Sequence, residues 1–409
     1  MDPLAHTLFG ATMAEAGLKR KTALATVTLI IGANIPDVDA VAMFISQDYA
    51  LLVRRGWTHG ILALLIWPFL LTGTMLAADR QLQRWRNRKS RSPAPSTHMQ
   101  NASGNSASVL STHMTETGSS SELRDRPPMR PGVLLGIAFL GVWSHPLLDW
   151  VNTYGIRLLM PFNDTWFYGD SLFIIDPWLW LLAGAGVVLA RSQSWRSIGA
   201  WVVLGTAITA LVVSADMVPL AGKIVWMTGI GAIALARWTG RYRIAVQPFA
   251  FTMLIAVLLY IAFMVAGARF TAMHARAHLA TQGVEATEVM ANPMPARPLL
   301  RTGVAASQTH YYLFEVNWLR PASFVLTSEP VRIAPPDRIA EAALRLPEVQ
   351  GLRGWMRFPA YEVRRRDDGW RVFIRDLRYV HPEAENSPGI GMAVVDLDEH
   401  LQVVEPGSP

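Results

Sequence analysis

The sequence predicts an all-α polytopic membrane domain of about eight helices, two of them short, followed by a small α+β domain outside the membrane. Three observations predict it. Apolar residues make up 51% of the 409-residue chain, too large a share for an ordinary soluble domain. Six apolar runs, 61–78, 132–149, 174–190, 198–214, 218–236 and 248–268, approach the roughly 20 residues that cross a bilayer. Beyond residue 268 the composition turns soluble, with β-branched and aromatic stretches replacing the apolar runs.

In chain order, 3–18 and 22–36 are the two short segments, able either to cross the membrane or to dip into it. The run 61–78 follows. The chain then changes character: 79–130 opens DRQLQRWRNRKSR and becomes rich in Ser, Thr, Asn and Gly, with STHM appearing twice. Such composition cannot bury enough apolar surface to fold. A disordered cytoplasmic loop is therefore expected inside a membrane domain spanning 1–270, with His98 and His113 as loop residues. The remaining apolar runs complete that domain. From 285 to 409 an extramembrane, periplasmic α+β domain is expected. HYYLFEVNWL, YEVRRRDDGWRVFIRDLRY and GIGMAVVDLD read as strands, Asp367-Asp368-Gly369 as a hairpin turn, and 337–346 as a short helix with Asp337 near its start.

Basic residues set the orientation, because cytoplasmic loops carry an excess of Lys and Arg. With 79–130 in the cytoplasm, 19–21, 191–197 and 237–247 lie there too, and these segments hold 17 basic residues against Arg54, Arg55 and Arg157 on the other side. Eight helices in the bacterial inner membrane, with both termini periplasmic, satisfy this bias. No cleavable signal peptide is expected, since MDPLAH places no basic residue ahead of its apolar stretch. This topology brings His6, Asp37, Asp39, His59, His145 and Asp149 to one face.

Ionisable residues at membrane depth are expensive, roughly 2.5–3.5 kcal/mol at a helix centre on insertion scales. In GVWSHPLLDW (141–150), His145 and Asp149 lie four residues apart and share a helix face. They read as metal ligands or as a hydrogen-bonded helix end. In GANIPDVDA (32–40), Pro36 stops a helix and leaves Asp37 and Asp39 on irregular backbone. Carboxylates so close repel unless a cation or proton sits between them, although a solvated capping turn would also hold them. In RRGWTHGILALL (54–65), His59 is a ligand or an interfacial anchor beside Trp57, and His6 in MDPLAHTLFG has the same two options. The chain has no cysteine, so a shared metal would be held by nitrogen and oxygen, a donor set suited to zinc, manganese or iron.

Arg54, Arg55 and Arg157 suit phosphate binding or snorkelling at the membrane surface. Of the acidic residues that follow, Asp170 or Asp176 is a further candidate to reach the metal, with Asp176 also reading as a helix cap before Pro177. HARAH (274–278) lacks the glutamate of a zincin helix and reads as a solvated face.

Together, MDPLAHTLFGATMAEA, NIPDVDA, RRGWTHG, HPLLDWVNTYGIRLLMPF and FYGDSLFIIDPWLW resemble the YdjM/YbcI-like family of bacterial inner-membrane, metal-dependent hydrolases, over roughly residues 1–190. Weaker likeness continues through NPMPARP and GWMRFPAYEV. The family in turn is similar to the zinc-dependent phospholipase C and single-strand nuclease superfamily, whose His/Asp clusters hold metal ions used against phosphodiesters. The resemblance implies metal-ligand roles for His6, Asp37, His59, His145 and Asp149.

The expected function is a metal-dependent hydrolase using a divalent cation: zinc first, with manganese or iron as alternatives. Asp39 would support a ligand or act as general base, and Arg55 would offset charge on the leaving oxygens. A site at headgroup depth favours a lipid-linked or phospholipid-type phosphate ester, which makes the bilayer a partner. No nucleic acid is expected, and protein partners are left open. The alternative is a non-catalytic membrane protein with a structural metal and a partner-binding periplasmic tail. A transporter fits less well, because the ionisable residues gather at one face and not at the midplane.

Overall fold

A computed structural model describes residues 1–90, 127–240, 245–386 and 390–404. Most of the loop expected to be disordered, with His98 and His113, lies outside the described residues.

Helix α1 (Pro3–Glu15) is started by Asp2, whose carboxylate accepts from the Ala5 amide at 3.0 Å, with Pro3 at the first helical position. Helix α2 (Ala25–Gly32) is short and passes into a 3-10 segment, Ile35–Phe44, at a bend of 44°. Asp37 and Asp39 therefore sit on 3-10 turns and not on the irregular backbone expected. After α3 (Gln47–Val53), α4 (Ile61–Ser90) continues through residues 79–90, so the basic stretch expected to open the loop is helical. The membrane domain is completed by α5 (Pro131–Trp150), α6 (Pro177–Arg191), α7 (Trp195–Ser214), α8 (Leu220–Thr239) and α9 (Val246–Thr281).

Five of these helices, α4, α5, α7, α8 and α9, are long and apolar enough to cross a membrane, and the bent segment from Ala25 to Phe44 is a sixth candidate. At 13 and 15 residues, α1 and α6 reach only about 20 and 22 Å at 1.5 Å per residue, short of a ~30 Å hydrocarbon core. Both still run between the same two ends of the bundle. At one end the Asp2 amide donates to the Ile174 carbonyl at 3.2 Å, and at the other Arg191 donates to Glu15 at 2.6 Å.

Helices α2 and α5 pack backbone to backbone. A Cβ at Gly141 would lie 3.2 Å from the Leu29 carbonyl oxygen, and one at Gly32 would lie 3.1 Å from the Val142 nitrogen. Small residues at such crossings allow the helices to approach. At 36 residues, α9 is about 54 Å long, and its far end stands clear of the bundle. There Ala275 and Leu279 pack against Ala291, Ala305 and Phe314. His274 lies 3.0 Å from Ser323 Oγ and the His278 ring stacks on Phe324, so these histidines meet a sheet edge and not the solvent expected.

The C-terminal region holds two antiparallel sheets. In the first, β1 (Glu288–Met294), β2 (Arg297–Ala306), β3 (His310–Asn317) and β4 (Phe324–Leu326) pair in that order, and β5 (Val331–Arg332) also pairs with β3. In the second, β6 (Pro359–Arg366), β7 (Gly369–Asp376) and β8 (Met392–Leu397) are consecutive. Asp367 and Asp368 make the turn between β6 and β7, with Arg366 paired to Gly369. Helix α10 (Arg338–Leu344) is capped by Asp337 as expected, and α11 (Gln350–Trp355) follows. Leu51 and Tyr154 of the membrane domain share one apolar core with Leu344, Trp355, Val372 and Ile374. The C-terminal region is thus seated on the end of the bundle formed by residues 45–60 and 151–176.

Candidate metal centre

Four side chains from three places in the sequence converge at that end. His145 and Asp149 project from the last turns of α5, Asp37 from the 3-10 segment, and His59 from the loop ahead of α4. One donor atom from each lies within 4.8 Å of all the others. The two Nε2 atoms are 3.0 Å apart. Asp149 Oδ2 is 3.4 Å from His59 Nε2 and 3.5 Å from His145 Nε2, while Asp37 Oδ1 is 3.8 and 3.7 Å from the same two nitrogens. Tetrahedral ligands at 2.0–2.1 Å from zinc lie ~3.3 Å from one another, and the observed separations bracket that value.

The protonation pattern points the same way. His145 Nδ1 is 2.7 Å from the Ala33 carbonyl oxygen, which only accepts, so its proton sits on Nδ1 and its Nε2 presents a lone pair. This bond exists because Gly32 and Gly141 bring α2 against α5. His59 Nδ1 faces Thr58 Oγ1 at 2.9 Å and Asp39 Oδ2 at 3.3 Å, and Thr58 itself donates to Asp39 Oδ2 at 2.6 Å. Its Nε2 lone pair is therefore also turned toward the shared point. Arg55 Nε is 2.9 Å from Asp149 Oδ2 but is not aligned to donate, which leaves Oδ2 a buried acceptor without a hydrogen bond. Two imidazole lone pairs and two carboxylate oxygens facing one point fit a divalent cation bound through nitrogen and oxygen.

Of the residues expected in the site, His6 lies outside this group of four. Its ring stacks on His145 with centroids 3.9 Å apart, its Nε2 is 3.3 Å from Asp149 Oδ1, and its buried Nδ1 has no hydrogen bond. Asp39 holds His59 and also accepts from the Arg55 amide at 2.9 Å. Arg55 was expected to face leaving oxygens. It is instead buried, with Nη2 donating to Asp149 Oδ1 at 3.0 Å and Nη1 donating to Asn152 Oδ1 and the Gly155 carbonyl at 3.0 and 3.2 Å. Its φ of 54° is in the left-handed region that side-chain-bearing residues seldom adopt. The Met1 amino group also rests on Asp149 Oδ1.

Arg54 is the less buried of the two adjacent arginines. Its Nη2 donates to Asp37 at 3.1 Å, and its side chain is 18% exposed. Asp170 pairs with Arg357 at 2.9 Å, away from the four donors, and Asp176 caps α6. Burial pushes Tyr154 up, with Arg55 opposing.

Sequence reasoning missed Thr58 and Asn152 as supports, and also the Ala33 carbonyl. A Thr one residue before a candidate His is a signal for the first. The other two depend on how the helices cross.

No curated protein and no solved structure matches the chain. A family model, that of the YdjM inner membrane protein, matches residues 1–222, more than half of the chain and all of the residues that converge on the four-donor point. The chain belongs to the YdjM inner membrane protein family.

Proposed function

We propose that the protein is a metal-dependent hydrolase of the inner membrane that acts at the periplasmic face on phosphate esters carried by lipids. The observation that carries this reading is the convergence of His59, His145, Asp37 and Asp149 with both imidazoles held through Nδ1. When bound there, a divalent metal, zinc first among the candidates, supplies Lewis acidity toward a phosphoryl oxygen and lowers the pKa of a water.

The chain's own residues supply the rest. His59, His145 and Asp149 are sealed, whereas Asp37, Asp39 and Arg54 retain 10%, 7% and 18% exposure, so the approach lies on their side. Arg54 offers a guanidinium to an anionic phosphate there, and Asp39, whose Oδ1 has no hydrogen bond, would be the proton acceptor in this reading. Arg55 serves by holding Asp149, and His6 by backing His145. Val38, Val41, Met43 and Trp57 are exposed around this approach, an apolar rim that suits acyl chains better than a water-borne ester. The bias of basic residues toward the opposite end of the bundle supports the periplasmic placement.

One observation favours a second reading. Structural metal sites fill their coordination with four protein ligands, whereas catalytic ones keep a position open, and three of the four donors here belong to fully buried residues.

Metal analysis by mass spectrometry on protein purified without chelators tests both readings. Bound metal is expected in the wild type and should be lost in Asp37→Asn with the fold retained. Asp37 is the better target because removing Asp149 strands the buried Arg55 charge, at a cost of about 3–5 kcal/mol. Metal-stimulated cleavage of synthetic lipid phosphates in micelles then supports the hydrolase. Bound metal without turnover supports the structural reading, and no metal in the wild type ends both.

A further inference from the structure

Residues 152–155 are gripped from two sides. From the membrane domain, Arg55 donates to Asn152 Oδ1 and the Gly155 carbonyl, and its guanidinium lies 4.5 Å from the centre of the Tyr154 ring. Asn152 Oδ1 also accepts from the Tyr154 amide at 2.8 Å, closing the turn. From the C-terminal region, Arg378 Nη1 donates to the Thr153 carbonyl and Trp355 Nε1 to the Tyr154 carbonyl, both at 3.0 Å. Thr153 Oγ1 in turn donates to Asn292 Oδ1 at 2.6 Å. The turn is thus held at Asn152 and Gly155 by Arg55, and at the two residues between them by the C-terminal region.

The outer grip is itself fixed. Arg378 donates to Asp376 through Nε and Nη2 at 2.9 and 2.6 Å and to the Trp355 carbonyl at 2.8 Å, and its guanidinium stacks 4.3 Å from the Trp355 ring. Trp355, Asp376 and Arg378 are all buried. The carbonyls of Thr153 and Tyr154, themselves buried, need donors, and the C-terminal region provides one for each. Both acceptors of Arg55 Nη1 lie on this same turn. A shift of the turn would therefore release the far end of the guanidinium and, with it, the orientation of the Asp149 carboxylate.

We propose that the C-terminal domain is a positioning element of the metal centre: Trp355 and Arg378 lock residues 152–155, these lock Arg55, and Arg55 sets the orientation of Asp149. The proposal rests on the metal-site reading above. Trp355 and Arg378 are positioning residues, since neither belongs to the four donors. The matched family region ends at residue 222, so this support comes from a part of the chain outside it.

Cobalt(II) binding to full-length, metal-stripped protein in detergent tests the proposal, read by affinity and by the visible absorption of the bound ion. Trp355→Phe keeps apolar bulk and removes the N–H given to Tyr154. Arg55→Lys keeps the charge and removes the planar fork. Loss of an outer support costs about 10–100-fold in metal affinity, which is the loss expected for Arg55→Lys. Trp355→Phe, one step further out, should fall at or below the lower end of that range and should alter the cobalt spectrum. The double variant should bind no more weakly than Arg55→Lys alone, whereas independent sites add.

Full additivity, or unchanged affinity and spectrum in Trp355→Phe, overturns the proposal while leaving the metal site standing. If Trp355→Phe does not fold, Arg378→Lys replaces it in the same cycle with the same expectations. Wild-type protein that binds no cobalt removes the metal reading itself, so the two failures are distinct.

Discussion

Asp149 shows how one buried carboxylate is used from both oxygens. Oδ1 meets Arg55 Nη2, His6 Nε2 and the Met1 amine, while Oδ2 faces the two histidine Nε2 atoms. One oxygen is thus held by cationic and imidazole groups, and the other, with Arg55 Nε beside it but not aligned to donate, faces the shared point. Asp39 plays the matching part for His59. Replacing it with Asn keeps a carbonyl acceptor but removes the charge that faces Nδ1 and that accepts from Thr58 and the Arg55 amide. Metal affinity should fall about 10–100-fold in Asp39→Asn with the thermal midpoint little changed, as measured by zinc competition with a chromophoric chelator. Unchanged affinity would remove Asp39 from the site. That Asp37, His59, His145 and Asp149 come together was legible because His and Asp at the ends of apolar runs are conspicuous against their cost. Their division of labour was not legible. Whether His6 is a ligand or a stacking neighbour, and whether Arg55 or Arg54 faces the opening, depends on a few ångströms that spacing along the chain does not fix.

At the scale of the element, the site depends on how closely α2 and α5 approach. The bond between His145 Nδ1 and the Ala33 carbonyl crosses that contact. Gly141→Ala places a methyl 3.2 Å from the Leu29 carbonyl oxygen and 3.3 Å from its Cα, tighter than side-chain contacts normally run. Overpacking of this kind costs about 1–3 kcal/mol. A lowered thermal midpoint is expected in detergent, together with weaker metal binding as the His145 bond lengthens. An unchanged midpoint would mean that the two helices separate freely and that their contact does not set the site. The long helices were legible from apolar runs alone, as was the Asp-Asp-Gly hairpin. Strands β1 and β2 were not, because Pro293, Pro295 and Pro298 interrupt the stretch and its side chains do not alternate. The shortness of α1 was expected, but that of α6 was hidden for another reason: an apolar run records where a chain is buried, and the helix itself starts only after its cap, Asp176.

Across the whole molecule, the two ends of the bundle differ in charge and in what they carry. One end gathers Lys19, Arg20, Lys21, Arg130 and Arg191, with Arg191 joined to Glu15 and the Arg130 amide joined to Thr22. The other carries the four-donor point, Arg54, and the contacts from Asp48 to the Gly351 and Leu352 amides that seat the C-terminal domain. Cytoplasmic loops collect basic residues, so the first end should face the cytoplasm and the second the periplasm. The absence of cysteine makes this directly measurable. Thr165 and Gln193 are exposed and lie at opposite ends, so each can be replaced singly by Cys with little disturbance. In intact cells a membrane-impermeant maleimide should label Thr165→Cys, and it should reach Gln193→Cys only after the membrane is opened. The reverse pattern would place the site, the C-terminal domain and any lipid headgroup it acts on in the cytoplasm. Labelling of both from outside would mean that α6, at 15 residues, returns to the face it left, and that the bundle end it shares with α1 is not a second membrane surface.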